Sequence, residues 1–275
     1  MNQYKIIASD LDGTLMSSDM SISEANLTAI TELNRHGVFF VPASGRTMCE
    51  IPPILKDNPD IRYFIYSNGA AFYDKETDKR FVMSIPNDII KYVFDVINSY
   101  EVYITVRQNG ESYVDSRHQN EADRKYYNVH IVHSKVMDEA ATFMDNFTDF
   151  IYSLRDVESI SIFFHDKNDI PKCKERLKAI GELLVADGWV DNLEIFFKEA
   201  GKGNCLHKLA EYAGIDIADT IGVGDSDNDA TLIKAAGLGL AVSNAVDSIK
   251  EIADEIICSN NEGAIDHILK HYIVK

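Results

Sequence analysis

The segment IIASDLDGTL at residues 6–15 sets a short apolar run, Ile6 to Ala8, directly against two carboxylates, Asp10 and Asp12, and a glycine. An apolar run without polar alternation fits a strand buried on both faces, and such strands occur where helices cover a parallel sheet. The following SISEANLTAITELNRHG predicts an amphipathic helix with Leu27, Ile30 and Leu33 on its apolar face. A capping box from Ser21 to Glu24 should open it and Gly37 should stop it. VFFVPAS and RYFIYS read as a second and a third apolar strand. Apolar strands separated by helices imply βαβ units, hence an α/β fold with a doubly wound, Rossmann-like parallel sheet.

The last third repeats this pattern. Strands are expected at DTIGVG, LGLAV and EIIC, with helices from about Asn204, Asp227, Val246 and Gly263. The middle differs: EVYITVRQ, ESYVDS, VHIVHS and SISIFFH alternate polar and apolar residues, and PKCKERLKAIGELLVA reads as a long helix. Alternation is the mark of half-exposed antiparallel strands. The expected organisation is a discontinuous core, residues 1–84 and 191–275, with an α+β insert over 85–190.

The chain has 275 residues, 45% of them hydrophobic, enough for one large or two modest domains. A net charge of -17 argues against nonspecific binding to nucleic acid or to an anionic membrane surface. It leaves room for a small anionic substrate, because a metal and a few local cations outweigh the global field. Cys49, Cys173, Cys205 and Cys258 are scattered with no CxxC pair, as in reduced cytoplasmic proteins. No signal-peptide pattern opens the chain and no apolar run approaches the about 18 residues of a membrane span, so the expected location is the cytoplasm.

In an open parallel sheet, ligands bind beyond the carboxyl ends of the strands. The first strand ends in Asp10-Leu11-Asp12-Gly13-Thr14 and the second in Ala43-Ser44-Gly45-Arg46. TIGVG ends in Gly224-Asp225-Ser226-Asp227-Asn228-Asp229, and a GKG at 201–203 offers Lys202 near a helix start. Carboxylates converging on one sheet edge repel one another, and a hard divalent cation neutralises them. Mg²⁺ suits this, since it needs only one or two carboxylates plus a phosphate oxygen. A hydroxyl, a lysine and glycine-exposed N–H groups then suit the other phosphate oxygens, which together suggests a phosphoryl-transfer site.

Other motif readings fail on particular residues. Asp225, Asp227 and Asp229 begin like a calcium loop, but Ala230 replaces its glycine and Ala236 its glutamate. Gly222-Val223-Gly224 begins like a dinucleotide fingerprint, yet Asp227 holds the third glycine position. GKGN lacks the upstream glycine and the Ser/Thr of a P-loop. His130 and His133, on a strand, point to opposite faces, and His267 and His271 fit a solvated helix face. The aromatic residues of the insert read as core.

DLDGT at 10–14, Ser44-Gly45 after an apolar strand, a later lysine and GDSDND at 224–229 resemble the four ordered motifs of the haloacid dehalogenase superfamily. The insert and SNGA at 67–70 resemble its Cof-like branch with a type IIB (C2B) cap. The resemblance implies Asp10 as nucleophile forming an aspartyl-phosphate, and Asp12 as the acid and base that protonates the leaving alcohol and then activates water. It implies Ser44, Lys202, Asn228 and the backbone at Leu11 and Gly45 as phosphate ligands. It further implies Mg²⁺ on the Asp10 carboxylate, the Asp12 carbonyl and Asp225, with Asp229 orienting the metal's waters or Lys202. Arg46 is left between substrate and a core carboxylate as partner.

Family members that displace halide lack the second acid, and membrane ion pumps carry threonine there, so Asp12 points to phosphate esters. The third motif reads AGKGN where the family pattern is closer to VSKG. The implied activity is Mg²⁺-dependent hydrolysis of small phosphorylated metabolites, sugar phosphates or phosphorylated cofactors, with the cap closing over the core and selecting substrate. A phosphomutase, and more distantly a sugar-phosphate sensor or a phospho-acceptor module, are the alternatives.

Overall fold

The computed structural model describes residues 4–188 and 191–274. The chain forms two compact units: one comprises the residues up to Gly45, Ile51–Phe81 and those from Gly201 onward, the other Arg46–Glu50 and Val82–Ala200.

In the first unit the chain lays down β1 (Ile6–Ser9), β2 (Phe39–Pro42), β3 (Tyr63–Tyr66), β4 (Ala71–Asp74) and β5 (Lys79–Val82), the last ending at the unit boundary. The second unit supplies β6 (Val102–Gln108), β7 (Glu111–Asp115), β8 (Ala141–Met144), β9 (Val157–Phe164), β10 (Leu183–Asp187) and β11 (Asn192–Phe197). The chain returns to the first unit with β12 (Thr220–Gly224), β13 (Leu238–Val242) and β14 (Glu255–Ile257).

The first unit is built on a parallel sheet in the order β14-β13-β12-β1-β2. Ile6 to Ala8 are fully buried, as the unbroken apolar run requires. β1 is central, with β12 on one side and β2 on the other, so the strand order reverses there. That reversal opens the crevice in which sheets of this class hold ligands. β3 follows β2 in the expected parallel sense through the bridge of Ala43 to Ile65, and it also pairs antiparallel with β4, a partner the sequence pattern did not indicate.

Helix Glu24–Arg35 is capped by Ser23, whose hydroxyl accepts from the Asn26 N–H, not by Ser21. The Ser21 hydroxyl instead donates to Asp19 in the preceding turn. Gly37 stops this helix with a φ of 69°, a conformation that favours glycine.

The second unit is α+β, with a sheet in the order β10-β11-β9-β6-β7-β8. One face carries Ile104, Val106, Ile160, Ile162, Leu193 and Ile195 against helices Ile90–Ile97, Phe147–Ser153 and Ile170–Lys178. Three expectations fail here. VHIVHS is not a strand, because Ile131–Ala140 is helical; the opposite-face argument for His130 and His133 lapses, and the His133 side chain lies outside the described residues. The long helix from Pro171 stops at Lys178, since Gly181 turns the chain at a φ of 79° and Leu183 and Val185 then alternate inward as β10. Tyr126 is also not core: it is exposed and stacks on His165 at 3.8 Å between ring centroids.

Candidate active site

Asp10 follows β1 immediately, and its own N–H donates to the Val223 carbonyl of β12 at 3.0 Å. The chain must then turn sharply, and Gly13 allows it with a φ of 83°. A Cβ on Gly13 would lie 2.5 Å from Asp225 Oδ2, so only glycine leaves room for that carboxylate. The Thr14 hydroxyl donates to Asp225 Oδ1 at 2.9 Å. The turns after β1 and β12 are thus bound to each other.

Asp229 caps its own turn: Oδ2 accepts the N–H groups of Asp225 at 3.0 Å and Ser226 at 3.2 Å. Its Oδ1 accepts from Lys202 Nζ at 2.5 Å, and the same ammonium donates to Asp10 Oδ1 at 2.6 Å. Lys202 begins helix Lys202–Ala213 and is 0% exposed. Glycines let that helix start come close: a Cβ on Gly69 would sit 2.3 Å from the Gly201 carbonyl carbon.

Three carboxylates, Asp10, Asp225 and Asp229, each offer an oxygen within 4.8 Å of the others. Burial, reinforced by Asp229, pushes the Asp10 carboxyl well above the usual carboxylate range, against the pull of Lys202. Burial and Asp229 likewise push Asp225 up to about 6, against the Thr14 hydroxyl. Burial works against the Lys202 charge, but Asp10 and Asp229 outweigh it and raise its pKa. One buried ammonium therefore faces more negative charge than it neutralises.

Beside this cluster, Ser44 is buried, with its N–H on the Ile65 carbonyl at 3.0 Å and its carbonyl accepting from Asn68 N–H at 3.0 Å. Asn68 sits in the left-handed region, φ 52°, and its Oδ1 accepts from Asn228 Nδ2 at 3.1 Å. A Cβ on Gly45 would lie 2.9 Å from that Oδ1. Ser44, Gly45 and Asn228 thus meet through Asn68. Leu11 is buried and its carbonyl accepts from Met16 N–H at 2.8 Å; Asp12 is exposed. Arg46 groups with the second unit, where its Nη1 donates to the Glu50 carbonyl at 3.3 Å.

Thr14, Asn68 and Asn244 escaped the sequence reading as site residues. Thr14 and Asn68 carry local signals, a hydroxyl after Asp-Gly and an Asn-Gly after an apolar strand. Asn244, whose Nδ2 donates to the Gly13 carbonyl at 2.8 Å, carries none.

Residues 7–269 match the family model of haloacid dehalogenase-like hydrolases. The phosphatase YwpJ of Bacillus subtilis (strain 168) is 29% identical, covering 98% of this chain and all of the relative. The 5-amino-6-(5-phospho-D-ribitylamino)uracil phosphatase YitU of the same organism is 27% identical, covering 97% of each. A haloacid dehalogenase-like hydrolase structure from B. subtilis superposes with a TM-score of 0.76 at 26% identity, covering 98% of this chain and 100% of the other. One from Bacteroides thetaiotaomicron superposes at 0.80 with 24% identity, covering 97% and 98%, and shares the fold.

Proposed function

Because the chain belongs to the haloacid dehalogenase-like hydrolases and is a phosphatase of that family, we propose that it hydrolyses small phosphorylated metabolites with Mg²⁺ through an aspartyl-phosphate. The observation that carries this is the cluster of Asp10, Asp225 and Asp229 around the single Lys202 ammonium. The all-oxygen donor set and its excess negative charge fit a hard divalent cation. Asp10 and Asp225, with the Asp12 carbonyl, would hold it, and Asp229 is committed to Lys202 and the turn. When bound, Mg²⁺ offsets the charge of the carboxylates and of the phosphoryl oxygens.

The residues then divide the work. An Asp10 carboxylate oxygen attacks phosphorus and the bond to the alcohol oxygen breaks, with Asp12 giving that oxygen its proton. Asp12 next takes a proton from water, whose oxygen attacks the aspartyl-phosphate, freeing phosphate and Asp10. Ser44, Lys202, Asn228 and the N–H groups at Leu11 and Gly45 hold the phosphoryl oxygens. The exposure of Asp12 supports its role, since it must exchange protons with alcohol and then with water. None of the four cysteines is in a disulfide, which supports a reducing cytoplasm as the setting. Among the described residues no helix is long and apolar enough to cross a membrane.

Phosphate release from sugar phosphates, nucleotides and phosphorylated cofactors, with Mg²⁺ and with EDTA, tests the reading on native protein and on Asp10→Asn. Sustained Mg²⁺-dependent release that Asp10→Asn abolishes is expected. Release that stops after a single turnover would point to a phospho-acceptor module, and transfer to a sugar hydroxyl to a mutase.

A further inference from the structure

The turn after β1 is held from outside by asparagines. Three of its carbonyls accept side-chain amides: Gly13 from Asn244 Nδ2 at 2.8 Å, Leu15 from Asn26 Nδ2 at 3.1 Å and Met16 from Asn260 Nδ2 at 2.9 Å. All of these residues belong to the first unit. Asn26 lies on helix Glu24–Arg35, Asn244 in the turn after β13 and Asn260 just beyond β14.

Two of these bonds are explained by burial alone. Leu15 and Met16 are buried, as are Asn26 and Asn260, and a buried carbonyl outside a sheet or helix needs a partner. Asn244 is different. It is exposed, so water could serve in its place, and fixing an exposed side chain costs conformational entropy. Yet the side chain is fixed at both ends: Oδ1 accepts the Asn260 N–H at 2.9 Å while Nδ2 donates to Gly13. A backbone N–H only donates and a carbonyl only accepts, so the two partners together set the orientation of the amide.

The place of that bond gives it a use. Gly13, at a φ of 83°, is the softest point of the turn, since glycine has the widest choice of backbone conformations. Asp12 immediately precedes it and faces Met16 through a bridge. Asn244 and Asn260, bonded to each other, therefore grip the turn just past Asp12 and at the residue opposite it. The turn after β13 also reaches Asp225, whose carbonyl accepts from Val246 N–H at 2.9 Å.

We propose that Asn244, oriented by Asn260, is a positioning residue for Asp12: it fixes the Gly13 peptide and so keeps the Asp12 carboxyl aimed at the reacting oxygen. This role rests on the phosphatase reading, in which Asp12 protonates the alcohol and then activates water.

Turnover of p-nitrophenyl phosphate at saturating Mg²⁺ is compared in native protein, Asn244→Ala, Asp12→Asn and the double variant. Asn244→Ala should lower kcat about 10- to 100-fold, the scale for a reacting group misplaced by about 1 Å, with KM not raised. In the Asp12→Asn background the same substitution should cost less than about twofold, because the residue it acts through is gone. A purely structural role would cost as much in either background. Amide hydrogen exchange at Leu15 and Met16 reports the hold without turnover. It should quicken at least about tenfold in Asn244→Ala while thermal unfolding stays native-like. An undiminished loss in the Asp12→Asn background, no loss in either, or unchanged exchange overturns the proposal and leaves the phosphatase reading intact. Native protein that releases no phosphate from this ester or from the metabolite esters overturns that reading, and the proposal with it.

Discussion

Lys202 Nζ lies 2.6 Å from Asp10 Oδ1, although 192 residues separate them in the chain. With Asp229 also on that ammonium, the triad is closed off from water, and removing one member leaves uncompensated buried charge. Lys202→Met should cost about 3–5 kcal/mol of stability, the range for breaking a buried pair. Urea denaturation without metal measures it. A loss below about 1 kcal/mol, the scale of a surface ion pair, would contradict the buried triad.

Asp12→Asn should separate the two halves of the proposed reaction. Asp10 can still be phosphorylated by an ester with a good leaving group, but water lacks its base. Turnover should fall by about 10²–10⁴, the usual worth of a general acid–base group. Phosphoenzyme sensitive to hydroxylamine should accumulate after acid quench. Loss of turnover with no trapped phosphoenzyme, from an ester as labile as p-nitrophenyl phosphate, would count against this role.

Gly13→Ala tests the lock between two turns. The added Cβ meets Asp225 Oδ2 at 2.5 Å and the φ of 83° resists any side chain. Displacing Asp225 should raise the Mg²⁺ concentration for half-maximal phosphate release about 10- to 100-fold, as changes beside metal ligands do. An unchanged Mg²⁺ requirement would remove Asp225 from the metal site.

Asp74 should govern acid stability in the first unit. Burial raises its pKa, but hydrogen bonds from Arg62, Thr77 and Tyr212 outweigh this and hold it at about 2, below the ordinary 3.8. A folded-state pKa below the unfolded one gives stability that is complete above about pH 4 and lost as pH falls through about 2. Asp74→Asn should therefore be about 2 kcal/mol less stable at pH 7, with the gap narrowing towards pH 2. Urea midpoints across that range measure it, and a gap independent of pH would refute the linkage.

Elements built from near neighbours were legible before the fold was known. Ile6–Ala8, the TIGVG run and LGLAV announce buried parallel strands by their unbroken apolarity, and the structure has them as β1, β12 and β13. The misreadings occurred where local pattern is ambiguous. Ile131–Ala140 alternates like a strand over a few residues yet is helical, and the apolar residues after Gly181 extend a helical pattern yet form β10. A short apolar run fits either period, and its packing partners decide.

What the sequence alone determined is the fold class and the presence of carboxylates at strand ends, because both depend on spacing within a dozen residues. Only the tertiary structure decided that Lys202 neutralises Asp10 and Asp229, that Thr14 holds Asp225, and that Asn68 joins Ser44 to Asn228. It also decided that Arg107 and Ser159 are buried, with Arg107 Nε and Ser159 Oγ finding no hydrogen-bond partner among the described residues. The physical reason is that burial and distance between remote residues follow from strand order and register. Setting β12 beside β1 brings Asp225 to Asp10, and pairing β6 with β9 sets Arg107 against Ser159, neither of which any local stretch of chain contains.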